Sequence, residues 1–197
     1  MTDLHDKLLR VTLRLYGERG YLGTTTRRIA EEAEVNEVTL FRRFGSKDAL
    51  IRAAIEAVAV RSGAVLDLEA SDPDAELRRW VRLVFAHYYG HRNLICQVMA
   101  DMVQYPEIAP RVCEDTNQEF NQLDGFVAGL VDRGVLPPLD EIARKSTAGV
   151  LFGGIFTHAM WRDHVPDIPP VAPVLEAYVD AFWRAARAPW AEAGRPG

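Results

Sequence analysis

Five side chains whose chemistry suits the reading of DNA bases share one short segment. The apolar residues between positions 35 and 44 are spaced to pack on one side of a short helix, which leaves the outer side for Glu37, Val38, Thr39, Arg42 and Arg43. An arginine can pair with guanine, a glutamate can accept a hydrogen bond from the cytosine amino group, and a valine can contact the thymine methyl group. Such a helix can enter a major groove, and its residues predict a half-site that contains G·C pairs.

Glu37 has a second interpretation. It falls in the first turn of the predicted helix, where a carboxylate complements the positive end of the helix dipole without touching a base. The sequence leaves both roles open.

Two short helices with a tight turn between them would present this surface. Thr24 or Thr25 can cap the first helix, and Asn36 can cap the second after a turn at Glu34 and Val35. The inward-facing residues are Ile29, Ala30 and Ala33 in the first helix and Val35, Leu40 and Phe44 in the second. This arrangement predicts a helix-turn-helix unit.

Longer helices are predicted on both sides of this pair. A first helix covers positions 4–19, and Gly20 can adopt the left-handed turn that ends it. A long helix follows Ser46, which is a good N-cap, and runs toward residue 68 with Val65 on its apolar face. This long helix would join the N-terminal helices, which we call the head (residues 1–50), to the rest of the chain.

The stretch from about residue 8 to residue 55 resembles the N-terminal domain of TetR-family regulators in residue type and spacing. The matching positions are Thr25, Ile29, Ala30, Val35, Thr39, Leu40, Phe44, Ser46, Lys47 and Leu50. The resemblance implies an all-α protein with a three-helix DNA-binding head and a helical ligand-binding and dimerisation body. It also implies a double-stranded DNA operator, a homodimer and a small-molecule inducer, with repression relieved by the ligand.

The resemblance also assigns roles within the head. Thr26 and Arg27 would touch phosphate or the groove edge, Lys47 would hold a phosphate, and the bases would face the second short helix. With the helix caps and the outer face included, the predicted DNA-binding residues are Thr25, Thr26, Arg27, Asn36, Glu37, Val38, Thr39, Phe41, Arg42, Arg43 and Lys47.

Several residues of the head depart from the family pattern. Glu34 replaces a turn glycine, so a left-handed backbone there would be strained. Phe41 replaces a tyrosine whose hydroxyl usually bonds a phosphate, so one positioning bond should be lost. Glu37, Val38 and Arg43 replace a frequent lysine, glycine and histidine, which should alter the operator.

The net charge of the chain hides an uneven distribution. The whole sequence has a charge of -5, from 23 Lys and Arg against 28 Asp and Glu. Residues 1–50 contain nine of the basic and eight of the acidic residues, which gives +1, and the other 14 and 20 give -6. The charge of +1 allows residues 1–50 to contact phosphate, but this charge alone would not identify them as a DNA-binding segment.

The remainder of the chain also has helical periodicity. One helix is predicted to begin at Pro73 and to stop at Gly90, and the chain restarts as a helix at Asn93. A further helix ends at Gly134, another runs from Pro137 to about residue 162, and a last one follows a group of prolines. We expect a helix-turn-helix domain at 1–50, a ligand-binding and dimerisation domain at 51–188 and a flexible tail at 189–197.

The predicted body is rich in aromatic and methionine side chains. A small apolar inducer could bind among them, although plain core packing explains each one equally well. The candidate ligand-binding residues are Trp80, Phe85, Tyr88, Met99, Met102, Phe120, Phe152 and Phe156. The stretch from Gly149 to Trp161 is apolar nearly all round and contains glycines that permit close helix approach, so we place it with the last helix in a dimer interface, with an intrachain core as the alternative.

Other classes of protein lack support in the sequence. Phosphate-cradling, zinc-protease and nucleophile-elbow motifs are missing, so we predict neither an enzyme nor a metal or other cofactor. The two cysteines form no disulfide framework, no uncharged run is long enough to span a membrane, and the N-terminus is unlike a signal peptide, which together predict a cytoplasmic protein. The alternative function is a small-molecule-binding dimer whose head has lost specific DNA binding.

Overall fold

The computed structural model describes residues 4–58, 63–105 and 110–188. All regular secondary structure in these ranges is helical, which confirms the predicted all-α class. The helices are α1 (Leu4–Gly23), α2 (Thr26–Ala33), α3 (Glu37–Phe44), α4 (Lys47–Val58), α5 (Pro73–Asp101), α6 (Pro110–Asp132), α7 (Glu141–Trp161) and α8 (Val171–Arg187). The predicted tail at 189–197 lies outside the described residues.

The chain divides into two compact units. The first consists of residues 1–61 and 91–116, and the second of residues 62–90 and 117–197. The first unit therefore includes residues 51–61 and 91–116 in addition to the head predicted at 1–50.

Side-chain caps set the starts of the short helices in the first unit. The Thr25 hydroxyl accepts a hydrogen bond from a backbone N–H at the start of α2, and the Asn36 side chain accepts one from Val38 N at 2.8 Å at the start of α3. Ser46 Oγ accepts the equivalent bond in α4, from a backbone nitrogen 3.0 Å away. The predicted caps are confirmed, and Thr24, the open alternative, is buried and donates its hydroxyl to a backbone carbonyl instead.

A small apolar core holds the first four helices together. α1 contacts α2 and α4, and α3 contacts α2 and α4. The buried members of this core are Leu8, Leu15, Ile29, Ala30, Ala33, Leu40 and Leu50. Burial of each large aliphatic side chain contributes about 1.5–3 kcal/mol, so this core fixes the orientation of the short helices. Gly20 has a φ of 65° and a ψ of -172°, so it takes the positive φ expected of it, but it kinks α1 and does not end it, because α1 continues to Gly23.

The helix after Ser46 is shorter than predicted. α4 ends at Val58, and residues 63–70 lie outside any helix, so the prediction of a helix that reaches residue 68 is wrong. Gly63 has a φ of 62°, which a right-handed helix does not contain. Val65, expected on the apolar face, is 68% exposed.

α5 is one continuous helix of 29 residues. The prediction that Gly90 and Asn93 separate two helices is therefore wrong. A glycine inside a helix costs about 1 kcal/mol relative to alanine, which is less than burial of one large apolar side chain contributes. Tyr88 and Val98 are buried on either side of this segment, so packing overrides the local preference.

The ends of the later helices follow local chemistry. α6 ends just before Gly134, whose φ is 72°, as predicted. α7 begins at Glu141, later than the predicted start at Pro137, because the Asp140 carboxylate accepts a hydrogen bond from Ala143 N at 2.7 Å and caps the helix there.

The second unit has a large aromatic and aliphatic core. Its fully buried side chains include Leu77, Trp80, Leu123, Phe126 and Ile155. On its surface, Arg78 of α5 binds Asp74 of the same helix and Glu176 and Asp180 of α8. α7 packs against α8 within this unit.

Candidate nucleic-acid interface

The turn between α2 and α3 has the strained geometry that the sequence predicts. Glu34 has φ 58° and ψ 43°, in the left-handed region, and its backbone N–H donates to the carbonyls of Ala30 and Glu31. A left-handed conformation costs an L-residue other than glycine about 1–2 kcal/mol. The Lys7 ammonium lies 2.9 Å from the exposed Glu34 carboxylate and lowers the pKa of that carboxyl.

Replacement of Glu34 by glycine is therefore expected to stabilise the protein. Glycine adopts the left-handed region freely, and the ion pair that is lost is exposed, so we expect the free energy of unfolding to rise by about 1 kcal/mol. Urea unfolding of the full chain would measure this, with Lys7→Ala as the control that removes the ion pair alone. A Glu34→Gly variant less stable than Lys7→Ala would contradict the strain argument.

The outer face of α3 is open. Leu40 is buried in the head, whereas Val38 is 69% exposed and Phe41 is 49% exposed. Arg42 and Arg43 are also exposed, and no carboxylate among the described residues lies within ion-pair distance of either guanidinium. Their donors are therefore available to a phosphate or a guanine.

Two predicted DNA-binding residues contact each other. The Thr26 hydroxyl at the start of α2 donates a hydrogen bond to Glu37 Oε1 at the start of α3, and the Glu37 side chain is half-buried. Glu37 thus joins the N-termini of both helices in the DNA-free head. No sequence signal identifies this pair, because it depends on how the two helices pack.

Arg27 has an intramolecular partner. Its Nε lies 2.9 Å from Glu31 Oε1, one helical turn further along α2, and this bond raises the pKa of the guanidinium. Both side chains are exposed, and exposed pairs of this kind contribute little to stability. A phosphate can therefore compete with Glu31 for Arg27.

Lys47 is held against Tyr21. Its Nζ donates to the Tyr21 backbone carbonyl at 2.9 Å and lies 3.7 Å from the centroid of the Tyr21 ring, and partial burial lowers the pKa of the ammonium. An ammonium has three donors, so a phosphate can still bind. Sequence reasoning did not find Tyr21, whose contacts come from parts of the chain that are distant in sequence.

Three of the predicted ligand-binding residues of the second unit, Tyr88, Phe152 and Phe156, form an aromatic cluster. Phe85 stacks on Tyr89 instead, with a centroid distance of 5.6 Å. The Tyr88 ring meets Phe152 and Phe156 edge to face, with centroid distances of 5.9 and 5.2 Å. The Tyr88 hydroxyl donates to Glu119 Oε2 at 2.8 Å, and Glu119 is only 4% exposed. Sequence reasoning missed Glu119, although it precedes Leu123 by one turn on the inward face of α6.

The other predicted ligand-binding residues lie apart from this cluster. Trp80 is fully buried in the core, and Phe120 is half-buried and packs near Gly149. Met99 and Met102 belong to the first unit, and Met99 is 46% exposed.

α7 carries an exposed stripe at helical spacing. Ile142 is 76% exposed, Val150 is 77% exposed and Trp161 is 56% exposed. Gly153 and Thr157 lie between them on the same side and are also exposed. We call these five residues the α7 stripe. In the described ranges, no helix is long and apolar enough to cross a membrane, and no group of His, Cys, Asp and Glu could hold a metal ion.

The chain is similar to known regulators in sequence and in fold. It is 22% identical over 160 residues to the uncharacterised HTH-type transcriptional regulator YvkB of Bacillus subtilis (strain 168), which covers 81% of this chain and 85% of YvkB. The structure of the TetR family regulator PfmR from Thermus thermophilus superposes with a TM-score of 0.67 and 20% identity, over 90% of this chain and 97% of PfmR. A TetR regulator from Haloarcula marismortui superposes with a TM-score of 0.70 and 19% identity, over 94% and 97% of the two chains.

Residues 8–54 match the family model for bacterial regulatory proteins of the tetR family. This range contains the capped α2 and α3, the turn at Glu34 and the open face of α3. It agrees with the range of the resemblance found in the sequence. Residues 8–54 thus form a helix-turn-helix head of the tetR family type, and the chain as a whole is similar to TetR-family transcriptional regulators in sequence and in fold.

Proposed function

We propose that the protein is a ligand-responsive repressor that binds a palindromic operator as a homodimer and is released by a small apolar molecule. The observation that carries this proposal is the open outer face of α3, where Arg42 and Arg43 have no acidic partner among the described residues. A rigid head that presents free guanidinium groups on one short helix suits insertion into a major groove. Release by a ligand and repression follow the family resemblance.

The residues of the head divide into two roles in this proposal. Glu37, Val38, Thr39 and Arg43 face base edges, whereas Thr26, Arg27 and Lys47 hold phosphates. Thr25 and Asn36 orient the helix starts through their caps, and the positive N-terminal ends of α2 and α3 then favour nearby phosphates. Phe41 offers an apolar edge at 49% exposure and no hydrogen bond.

In this proposal the side chain of Glu37 contributes to the base preference at the start of α3. We expect Glu37→Gln to change the preferred base pair of the half-site, because the amide offers a donor as well as an acceptor in place of the carboxylate. Binding to a panel of half-site variants measures the preference, and Thr26→Val is the matched control that removes the hydroxyl bonded to Glu37. An unchanged preference in Glu37→Gln would remove Glu37 from base readout and leave it a structural role.

The homodimer in this proposal forms through the α7 stripe and the neighbouring face of α8. The stripe is apolar and exposed, and Ala177, Ala181 and Ala185 give α8 a row of small exposed side chains. Small residues let helices approach closely, so the two faces suit a four-helix interface with a second copy. Two-fold symmetry then predicts two half-sites about 34–36 Å apart, or a multiple of one DNA turn.

The aromatic cluster is the proposed site of the inducer. Its side chains offer apolar contacts, and the buried Tyr88–Glu119 pair offers a polar group that fixes orientation. A thermal-shift screen of apolar metabolites tests this part: an inducer raises the melting temperature and weakens operator binding, because a ligand favours the state that it binds more tightly. A compound that stabilises the protein and leaves operator affinity unchanged is not an inducer.

A small-molecule-binding dimer with an inactive head is the second candidate function. The Thr26–Glu37 bond and the Arg27–Glu31 pair favour it, because each occupies a predicted DNA-binding residue within the head. The two candidates differ in whether the protein selects any DNA sequence.

A further inference from the structure

Tyr21, immediately after the left-handed Gly20, is held by residues from two other helices. Its backbone N–H donates to Asp101 Oδ2 at 3.0 Å, and its carbonyl accepts from Lys47 Nζ at 2.9 Å. Its hydroxyl donates to Asp48, and its ring packs against the tilted ring of Tyr105 with a centroid distance of 4.1 Å. Tyr21 therefore links the end of α5 to the start of α4.

Asp101 is an unusual residue for its position. It is the last residue of α5, and a carboxylate at a helix C-terminus faces the negative end of the helix dipole. Its Oδ2 accepts from Tyr21 N and also from Gln97 Nε2, each at 3.0 Å, and Tyr21 is 80 residues away in sequence. The carboxylate is thus satisfied by one tertiary bond, from Tyr21, and one bond within α5, from Gln97, at a place that the helix dipole disfavours.

The backbone at Gly20 allows this contact. A Cβ atom on residue 20 would lie 2.7 Å from Gln97 Nε2, and the φ of 65° excludes most other residues. The Gln97 side chain is flexible and could move away, so the positive φ is the stronger reason for glycine at this position. Tyr16, Ile51 and Val98 are buried together in an apolar cluster of this unit, and the Asp101 bond adds a directional contact to this packing.

We propose that Asp101 is a positioning residue for the DNA contact of Lys47 and acts through Tyr21. The Asp101 carboxylate fixes the Tyr21 backbone, and the Tyr21 carbonyl and ring then fix the Lys47 ammonium at the N-terminus of α4. A free lysine has a flexible four-carbon stem and loses rotamer entropy when it binds phosphate. This inference rests on the proposed role of Lys47 as a phosphate contact.

The salt dependence of DNA binding tests the proposal. Each phosphate contact contributes about 0.9 to the slope of log K against log salt, so loss of the Lys47 contact from both protomers of a dimer lowers the slope by about 1.8. We expect Asp101→Ala to lower the slope by no more than Lys47→Ala does, and the double variant to lower it no further than Lys47→Ala alone. Asp101→Asn keeps an acceptor for Tyr21 N and should retain most of the wild-type slope. Asp6→Asn, which removes an exposed acid from α1, is the control for charge.

The slope separates positioning from a loss of folded protein, because an inactive fraction shifts log K equally at every salt concentration. A wild-type slope in Asp101→Ala, or a further decrease in the double variant, would overturn the positioning role. A wild-type slope in Lys47→Ala would overturn it as well, by showing that Lys47 holds no phosphate. These outcomes differ from failure of the proposed function, in which the wild-type protein itself would bind an operator no better than unrelated duplex DNA.

Discussion

Replacement of Arg43 by alanine is expected to weaken operator binding strongly and to relax the base preference at one position of each half-site. Arg43 is exposed on the outer face of α3 with no acidic partner in the described parts of the chain, so nothing competes with guanine for its donors. A bidentate arginine–guanine contact contributes about 1–3 kcal/mol of discrimination. With two half-sites, the expected loss is about 2–6 kcal/mol, or roughly 30-fold to 10⁴-fold in affinity.

Binding to half-site variants at constant salt measures this effect. Arg10→Ala is the matched control, because it removes an exposed arginine from α1 in the same head and leaves α3 intact. The control should weaken binding to all sequences by a similar small factor. An Arg43→Ala variant that kept the wild-type base preference would exclude Arg43 from base readout.

The second large effect is expected at the α7 stripe. Val150 is 77% exposed, so Val150→Glu leaves the folded protomer intact. In the proposed dimer the same change buries a charge from each copy, and an uncompensated buried charge costs about 3–5 kcal/mol. The two charges together cost about 6–10 kcal/mol, so we expect the dimer dissociation constant to rise by at least about four orders of magnitude, with a matching loss of affinity for a two-site operator.

Analytical ultracentrifugation of the free protein measures the dissociation constant. Ala86→Glu is the control, because it places an acid on an exposed position of α5 in the same unit, away from the stripe. A wild-type protein that is a stable monomer both free and on DNA would contradict the dimer altogether. An unchanged dissociation constant in Val150→Glu would place the interface elsewhere.

Local signals in the sequence were sufficient to predict the helix caps and the turn residues of the head. Thr25, Asn36 and Ser46 cap the helices that their side-chain chemistry predicts, and Gly20 has the positive φ expected of it. Even the departure at Glu34 has its predicted consequence, a left-handed residue other than glycine. Each of these features depends on a few neighbouring residues, which is why the sequence alone reveals them.

Features that depend on packing were not predictable in the same way. The low helix propensity of Gly90 predicts a helix end there, yet buried residues on both sides of it keep α5 continuous. The Thr26–Glu37 bond and the Asp101–Tyr21 bond join residues that are 11 and 80 positions apart. The spacing of residues within one helix contains no information about such pairs.

The central claim is that the helix-turn-helix head reads a DNA sequence. Selection of genomic fragments by the wild-type protein at moderate salt tests it most directly, because weak electrostatic binding to all DNA is then suppressed. We predict enrichment of a palindromic site whose half-sites contain G·C pairs. Recovery of fragments with no shared sequence would contradict the claim and favour a ligand-binding dimer with an inactive head.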